Sequence, residues 1–283
     1  MTQEPQGRSD NLAVPQRPAP PPAAPEHPIG MFDSGTGGLS VRDAVARLLP
    51  RESIWYFADT AHCPYGERKP AEVAKFCDAI TRFLLGHGPC KLVVLACNTA
   101  TAMAVETLRR EFPHTDFVGM EPAIKPAAGT SRTRTIGVLA TAGTFHGRLY
   151  QETCLRHAQG TRIISVAGTG LVELVEAGRE NSSECEALLR RHLKPMLEAG
   201  ADCIVLGCTH YVFLEDAIRR VTGEKVGLLS SGDAVARRVR SLLETRGLLA
   251  PPSATPSHRY FTTGTPKNIE HRLRGTVVEP VRL

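Results

Sequence analysis

An apolar run of strand length that ends on a cysteine occurs twice in this chain. Leu95-Ala96-Cys97-Asn98-Thr99 lies over Leu206-Gly207-Cys208-Thr209-His210, thiol on thiol, and each is preceded by aliphatic residues (Leu92-Val93-Val94; Ile204-Val205). A short, continuously apolar run bounded by small and polar residues is the pattern of a strand buried on both faces, hence of a parallel sheet covered by helices on each side. Two such runs predict two similar half-molecules, each presenting one cysteine at the carboxyl end of a strand.

The remaining chain fits this duplication. A strand at 28–33 runs into the glycine-rich turn Ser34-Gly35-Thr36-Gly37-Gly38 and a helix over 39–49. Such a turn offers backbone N–H groups to an anion, although neither GxGxxG nor a P-loop is present. A strand at 53–58, a loop at 59–69 holding Cys63-Pro64-Tyr65-Gly66, a helix over 70–86, the first cysteine strand, a helix over 99–112 and a strand at 116–120 follow. The order then restarts. The expected elements are a strand from 135, a helix over 145–157, a strand at 162–166 and a short helix over 170–177 carrying Glu173 and Glu176. After them come a helix to 198 capped by Ser183 with Glu186, the second cysteine strand, a helix over 212–221 and a strand at 226–230.

The fold class expected is therefore α/β: two pseudo-symmetric, open, flavodoxin-like parallel-sheet domains facing each other across a cleft. The first comprises residues 28–121 with a returning helix over 232–248, and the second residues 122–231. The proline-rich residues 1–27 read as a disordered extension. Residues 249–283 read as a C-terminal tail containing an edge strand at 259–263.

Composition excludes several functions. A net charge of +5, scattered arginines and only five Tyr, nine Phe and one Trp give neither the basic stripe nor the stacking platforms of a nucleic-acid binder. No apolar run approaches the ~20 residues of a membrane helix. The eight cysteines form no CxxC pair, which points to reduced thiols in the cytoplasm, most of them packed as small hydrophobes. Cys97 and Cys208 differ in standing at strand ends beside polar turns.

Ligands of open α/β sheets bind beyond the carboxyl ends of the strands, which would gather Asp33, Cys97, Thr141 and Cys208 around one cleft. Two opposed thiols suit a redox disulfide, metal ligation (with His210 as a third ligand), or an acid and a base on either side of one carbon. The last fits the symmetry best, because inverting a stereocentre needs two groups of similar pKa on opposite faces.

The motifs Asp33-Ser34-Gly35-x-Gly37-Gly38, Pro64-Tyr65-Gly66, Ala96-Cys97-Asn98-Thr99-Ala100 and Gly207-Cys208-Thr209-His210-Tyr211 resemble those of the glutamate racemases, over residues 29–244. The resemblance implies an isomerase that interconverts L- and D-glutamate for peptidoglycan synthesis without cofactor or metal. The thiolate of Cys97 would act on the D-enantiomer and that of Cys208 on the L-enantiomer. Asp33, His210 and Glu176 would poise the thiols. Asp33, Ser34, Pro64, Tyr65, Gly66, Asn98, Thr99, Thr141, Thr144, Thr209 and His210 would contact substrate. Val212 stands where the family usually has proline and Ser230 where it often has aspartate. The alternative is an aspartate or other amino-acid racemase of the same superfamily; Thr209-His210, rather than Thr-Glu, after the second cysteine favours glutamate. A small-molecule substrate is the partner expected, with neither nucleic acid nor membrane, and a homodimer as the candidate assembly.

Overall fold

The computed structural model describes residues 22–273 and 275–283 of the 283-residue chain. Most of the proline-rich head, residues 1–21, therefore lies outside the described residues.

The first half runs β1 (Ile29–Asp33), α1 (Leu39–Leu48), β2 (Ile54–Ala58), α2 (Pro70–His87), β3 (Val93–Leu95), α3 (Asn98–Glu111) and β4 (Phe117–Val118). The second runs α4 (Ile124–Thr130), β5 (Thr135–Ala140), α5 (Ala142–His146), α6 (Arg148–His157), β6 (Arg162–Ala167), α7 (Leu171–Glu176), α8 (Ser183–Glu198), β7 (Cys203–Gly207), α9 (Glu215–Thr222) and β8 (Gly227–Leu229). The chain finishes with α10 (Gly232–Arg246), β9 (Arg259–Thr262), α11 (Lys267–Leu273) and β10 (Val278–Pro280).

These strands make two wholly parallel sheets, ordered β10-β9-β2-β1-β3-β4 and β6-β5-β7-β8. Every residue of β1, β3 and β7 is buried, as aliphatic strands with helices on both faces must be. The two cysteine strands hold equivalent places, since β3 pairs with β1 as β7 pairs with β5. The last long helix returns to the first sheet, where Val235, Val239 and Leu243 pack with Leu39, Val41 and Val45 of α1.

Three expectations change. The strand in the C-terminal tail is not an edge, because β9 sits between β2 and β10. Tyr260 and Phe261 are both buried, and Phe261 meets the rings of Trp55, Phe57, Phe83 and His87. An edge strand would leave one of these side chains half in water; enclosing Phe261 stabilises the fold by about 1.5–3 kcal/mol. The helix expected over 145–157 is two helices broken at Gly147, whose backbone is extended. A Cβ there would lie 2.5 Å from that of Ala102, so the break accompanies close approach to α3. The cap of α8 is Ser182, whose Oγ accepts the Cys185 N–H at 3.1 Å, rather than Ser183. Glu186 instead binds Arg190 one turn on.

Candidate active site

The carboxyl ends of β1, β3 and β7 converge. Asp33 ends β1, Cys97 follows β3 as the cap of α3, and Cys208 follows β7 ahead of a 3-10 turn, Thr209–Leu214. Both cysteines line one cleft. The first half contributes Ser34, Pro64, Tyr65, Gly66, Asn98 and Thr99 to its wall; the second contributes Thr141, Thr209 and His210. Asp33, Glu176 and Thr144 are not on that wall. They lie behind it and act through what they touch.

Around Cys97 the arrangement is an N-terminal cap. The Ala100 N–H donates to its sulfur at 3.4 Å, and the thiol points to Ser34 Oγ at 3.9 Å. The carboxylate of Asp33, fully buried, accepts the Gly38 N–H at 2.6 Å and the Thr209 hydroxyl at 3.5 Å. Burial pushes Asp33 above the usual carboxylate range, opposed by the charge of His210 and the Gly38 N–H. Burial, reinforced by the negative charge of Asp33, pushes the Cys97 thiol well up. Both effects favour the protonated thiol over the thiolate.

Around Cys208 a charged relay takes the place of the cap. Its sulfur lies 3.7 Å from His210 Nδ1, and Nε2 of the same ring lies 2.6 Å from Glu176 Oε1. That oxygen also accepts the Thr36 N–H at 2.7 Å and the Thr36 hydroxyl at 2.9 Å. Burial works against a charged His210, yet hydrogen bonding to Cys208, Cys63 and Glu176 holds its pKa well above the ordinary value. Burial likewise works against an ionised Glu176, and the bonds from His210 and Thr36 outweigh it, leaving this pKa depressed. An imidazolium–carboxylate pair behind Cys208 results.

The glycine-rich turn serves these carboxylates. Its N–H groups at Thr36 and Gly38 go to Glu176 and Asp33, so here they cradle the protein's own anions instead of a ligand's. Side chains are excluded for the same reason. A Cβ on Gly35 would sit 2.4 Å from Glu176 Oε1, and one on Gly37 2.5 Å from His210 Nδ1.

Asn98 carries the clearest mark of a ligand. It is buried, and neither its amide nitrogen nor its oxygen has a partner. An unpaired buried amide costs about 1–3 kcal/mol per group, a cost a fold retains where a ligand completes the bonds. Beside it, Thr99 Oγ1 meets Thr141 Oγ1 at 2.8 Å, and Thr141 meets Thr144 Oγ1 at 3.0 Å. This chain of hydroxyls links the two halves across the cleft. Thr141 also caps α5, accepting the Thr144 N–H. Tyr65 donates to Asp59 Oδ2 at 2.5 Å, while the other oxygen of Asp59 contacts His62 and accepts the Thr263 hydroxyl.

Sequence reasoning missed Thr36, Asp59 and Cys63. The first two are polar residues that gain meaning only through partners 140 and 204 positions away. Cys63 was readable only as the residue before Pro64. Its thiol, a Glu176 oxygen and a His210 nitrogen lie within 4.8 Å of one another, which makes these three the group able to hold a metal ion among the described residues. The thiol–thiol–imidazole set Cys97, Cys208 and His210 is not such a group. All eight cysteines are free thiols; Cys77, Cys90, Cys185 and Cys203 are buried with the two in the cleft.

Paired parallel sheets with a thiol at matching strand ends define the class, and residues 36–239 match the Asp/Glu/Hydantoin racemase family, to which this chain belongs. Within it the similarity is to glutamate racemases. That of Roseiflexus sp. is 46% identical over 250 residues, covering 87% of this chain and 92% of the relative. A glutamate racemase isoform from Bacillus anthracis superposes with a TM-score of 0.80 at 34% identity, over 91% of this chain and 98% of that one. The Escherichia coli glutamate racemase, solved with L-glutamate and the activator UDP-MurNAc-ala, superposes with a TM-score of 0.78 at 34% identity, over 88% and 94%.

Proposed function

We propose that this protein is a glutamate racemase that inverts Cα by proton transfer between two thiols. The observation that carries this reading is the placement of Cys97 and Cys208 around one cleft, each from a different half of the chain and each backed by a different ionisable partner. Aspartate, the alternative substrate, is disfavoured by the kinship with glutamate racemases.

The cleft holds about 10 Å³ of free volume, the room of roughly one water. Substrate therefore enters when the two sheets part and is enclosed when they return. Enclosure excludes water, strengthening every electrostatic contact inside. Asn98, Thr99, Thr141 and Thr209 offer the amide and hydroxyl donors for the carboxylates. Bonds to the α-carboxylate stabilise the negative charge that grows there as the α-proton leaves.

The two thiols are prepared in different ways. The α-ammonium of the substrate brings a positive charge beside Cys97 and Asp33, offsetting the burial that keeps Cys97 protonated. Cys97 thiolate then removes the proton of the D-enantiomer while Cys208 delivers one to the opposite face. In the reverse direction Cys208 is the base, its thiolate stabilised by imidazolium His210, which Glu176 holds in place. No step calls for a cofactor or a metal ion.

Around this activity we place a division of the chain into residues 28–121 with 232–248, and 122–231, the tail strands extending the first sheet. The product D-glutamate would feed peptidoglycan synthesis in the cytoplasm. No helix among the described residues is long and apolar enough to cross a membrane. A homodimer is the proposed assembly.

The test is turnover of each glutamate enantiomer in D2O, followed by chiral chromatography and mass spectrometry, with aspartate alongside. The product enantiomer should carry solvent deuterium at Cα, aspartate should turn over poorly, and chelators should not reduce turnover. Cys97→Ser and Cys208→Ser should each abolish racemisation while folding normally, because a hydroxyl is far too weak an acid to supply the base. Ordinary racemisation by either serine variant would overturn the two-thiol mechanism.

A further inference from the structure

A third thiol reaches the relay behind Cys208, and neither proton transfer uses it. Cys63 lies in the loop between β2 and α2, directly before Pro64 of the cleft wall. Its sulfur would be 3.1 Å from a Cβ on Gly35, on the side of that glycine where Glu176 Oε1 sits. It lies within 4.8 Å of a His210 ring nitrogen. Sulfur, carboxylate oxygen and imidazole nitrogen are thus gathered within 4.8 Å, from the loop after β2, the end of α7 and the 3-10 turn after β7. The glycine-rich turn packs behind them.

We propose that Cys63, Glu176 and His210 form an inhibitory site for a thiophilic divalent cation, zinc being the natural occupant. Tetrahedral zinc bonds to sulfur at ~2.3 Å, to imidazole nitrogen at ~2.0–2.1 Å and to carboxylate oxygen at ~2.0–2.2 Å. Neighbouring ligand atoms then lie about 3.3–3.6 Å apart at tetrahedral angles. The three atoms lie within 4.8 Å of one another, so small side-chain shifts suffice to reach these separations. The adjustment is to open the Glu176–His210 contact from 2.6 Å. The set of one sulfur, one nitrogen and one oxygen selects zinc or cobalt over magnesium and calcium, which take oxygen ligands. Access is provided on one side. The Cys63 residue is partly exposed and the Glu176 side chain is 17% exposed, whereas that of His210 is 2% exposed. A fourth position remains for water, since Cys208 sits against the other ring nitrogen, 3.7 Å away.

Inhibition follows from what the metal takes. Binding releases two protons to solvent, that of the Cys63 thiol and that of His210 Nε2, and occupies the nitrogen and carboxylate that hold the relay together. His210 can then no longer be the imidazolium that stabilises Cys208 thiolate. Glutamate turnover stops without any change to Cys97. The metal is here an inhibitor, and the catalytic reading of the preceding subsection stands without it.

Two measurements test this, and only the first rests on the racemase reading. Purified full-length protein is assayed for glutamate racemisation with increasing Zn2+, then with excess EDTA and, separately, with Mg2+. Micromolar Zn2+ should inhibit, EDTA should restore activity, and Mg2+ should have no effect. Cys63→Ala should need at least tenfold more Zn2+ to halve whatever turnover it retains. The second measurement loads Co2+ in place of zinc and records absorption. Wild type should show the near-ultraviolet sulfur-to-cobalt charge-transfer band at one Co2+ per chain, and Cys63→Ala should lose it. The band is readable even in a variant with altered turnover. Equal zinc sensitivity of Cys63→Ala, or an unchanged cobalt band in it, would place the metal on Cys97 and Cys208 and overturn the proposal. Absence of inhibition and of any band in the wild type would overturn it as well.

Discussion

Replacing Glu176 by Gln keeps the shape of the side chain and removes its charge. Oε1 of Glu176 accepts from Thr36 twice and from His210 once. The glutamine oxygen can still accept from Thr36, but the bond to the imidazolium loses its ionic character. A hydrogen bond to a charged group contributes about 1.5–3 kcal/mol, a neutral one about half as much. Adding the lost charge attraction in this nearly closed site gives about 2 kcal/mol, or roughly 30-fold in rate. The loss cannot be confined to one direction of racemisation. Enantiomers have equal free energy, so kcat/KM must fall equally for L- and D-glutamate. The asymmetry is readable in half-reactions instead. Elimination from a substrate with a β-leaving group needs only the base. With Glu176→Gln it should slow ~30-fold on the L-enantiomer, where Cys208 is the base, and stay near wild type on the D-enantiomer, where Cys97 acts. The alkaline limb of kcat/KM should move to lower pH, because the raised pKa of His210 is held up in part by Glu176. Linkage fixes where stability suffers. The depressed Glu176 contributes fully above its unfolded value of about 4.3 and loses this as pH falls through the folded value. The raised His210 contributes fully below its unfolded value of about 6.5 and loses this as pH rises through the folded value. Denaturation should therefore show the greatest deficit of the variant between about pH 4.3 and 6.5. Equal slowing of elimination on both enantiomers would refute the assignment of Glu176 to Cys208.

Two further substitutions probe how the frame supports the site. Lys91 and Glu52 form an ion pair at 2.6 Å with side chains 1% and 2% exposed, and Glu52 also accepts the Ala250 N–H that begins the tail. Lys91→Met leaves a buried unpaired carboxylate and should cost about 3–5 kcal/mol in urea denaturation, with turnover of the folded fraction unchanged. Thr263→Val deletes the hydroxyl that donates to Asp59, the carboxylate that holds Tyr65. It should cost about 1.5–3 kcal/mol of stability and raise KM for glutamate more than it lowers kcat; an unchanged KM would separate Asp59 from substrate binding.

What the sequence determined by itself is whatever is local and repeated. Continuous aliphatic runs mark β3 and β7 as interior strands because burial on both faces leaves no polar position in them. The two cysteines stand out because the strand-to-loop transition fixes where a thiol must point. Composition marked the remaining cysteines as packing, and four of them are buried.

What only the tertiary structure decided is which distant groups share one charge. His210 is an ordinary histidine by its local pattern; only the resemblance grouped it with Glu176, and the fold sets the two 2.6 Å apart. The glycine-rich turn reads as a cradle for a ligand until its N–H groups are seen on Asp33 and Glu176. The strand at Arg259–Thr262 has the length and composition of an edge; it becomes interior only because β10 adds beside it. Cys63 carries no local signal at all, and it joins the site through the fold of a loop. Periodicity and caps are short-range consequences of backbone geometry, so they survive in the sequence. Electrostatic partnership depends on distance through space, which no spacing along the chain encodes.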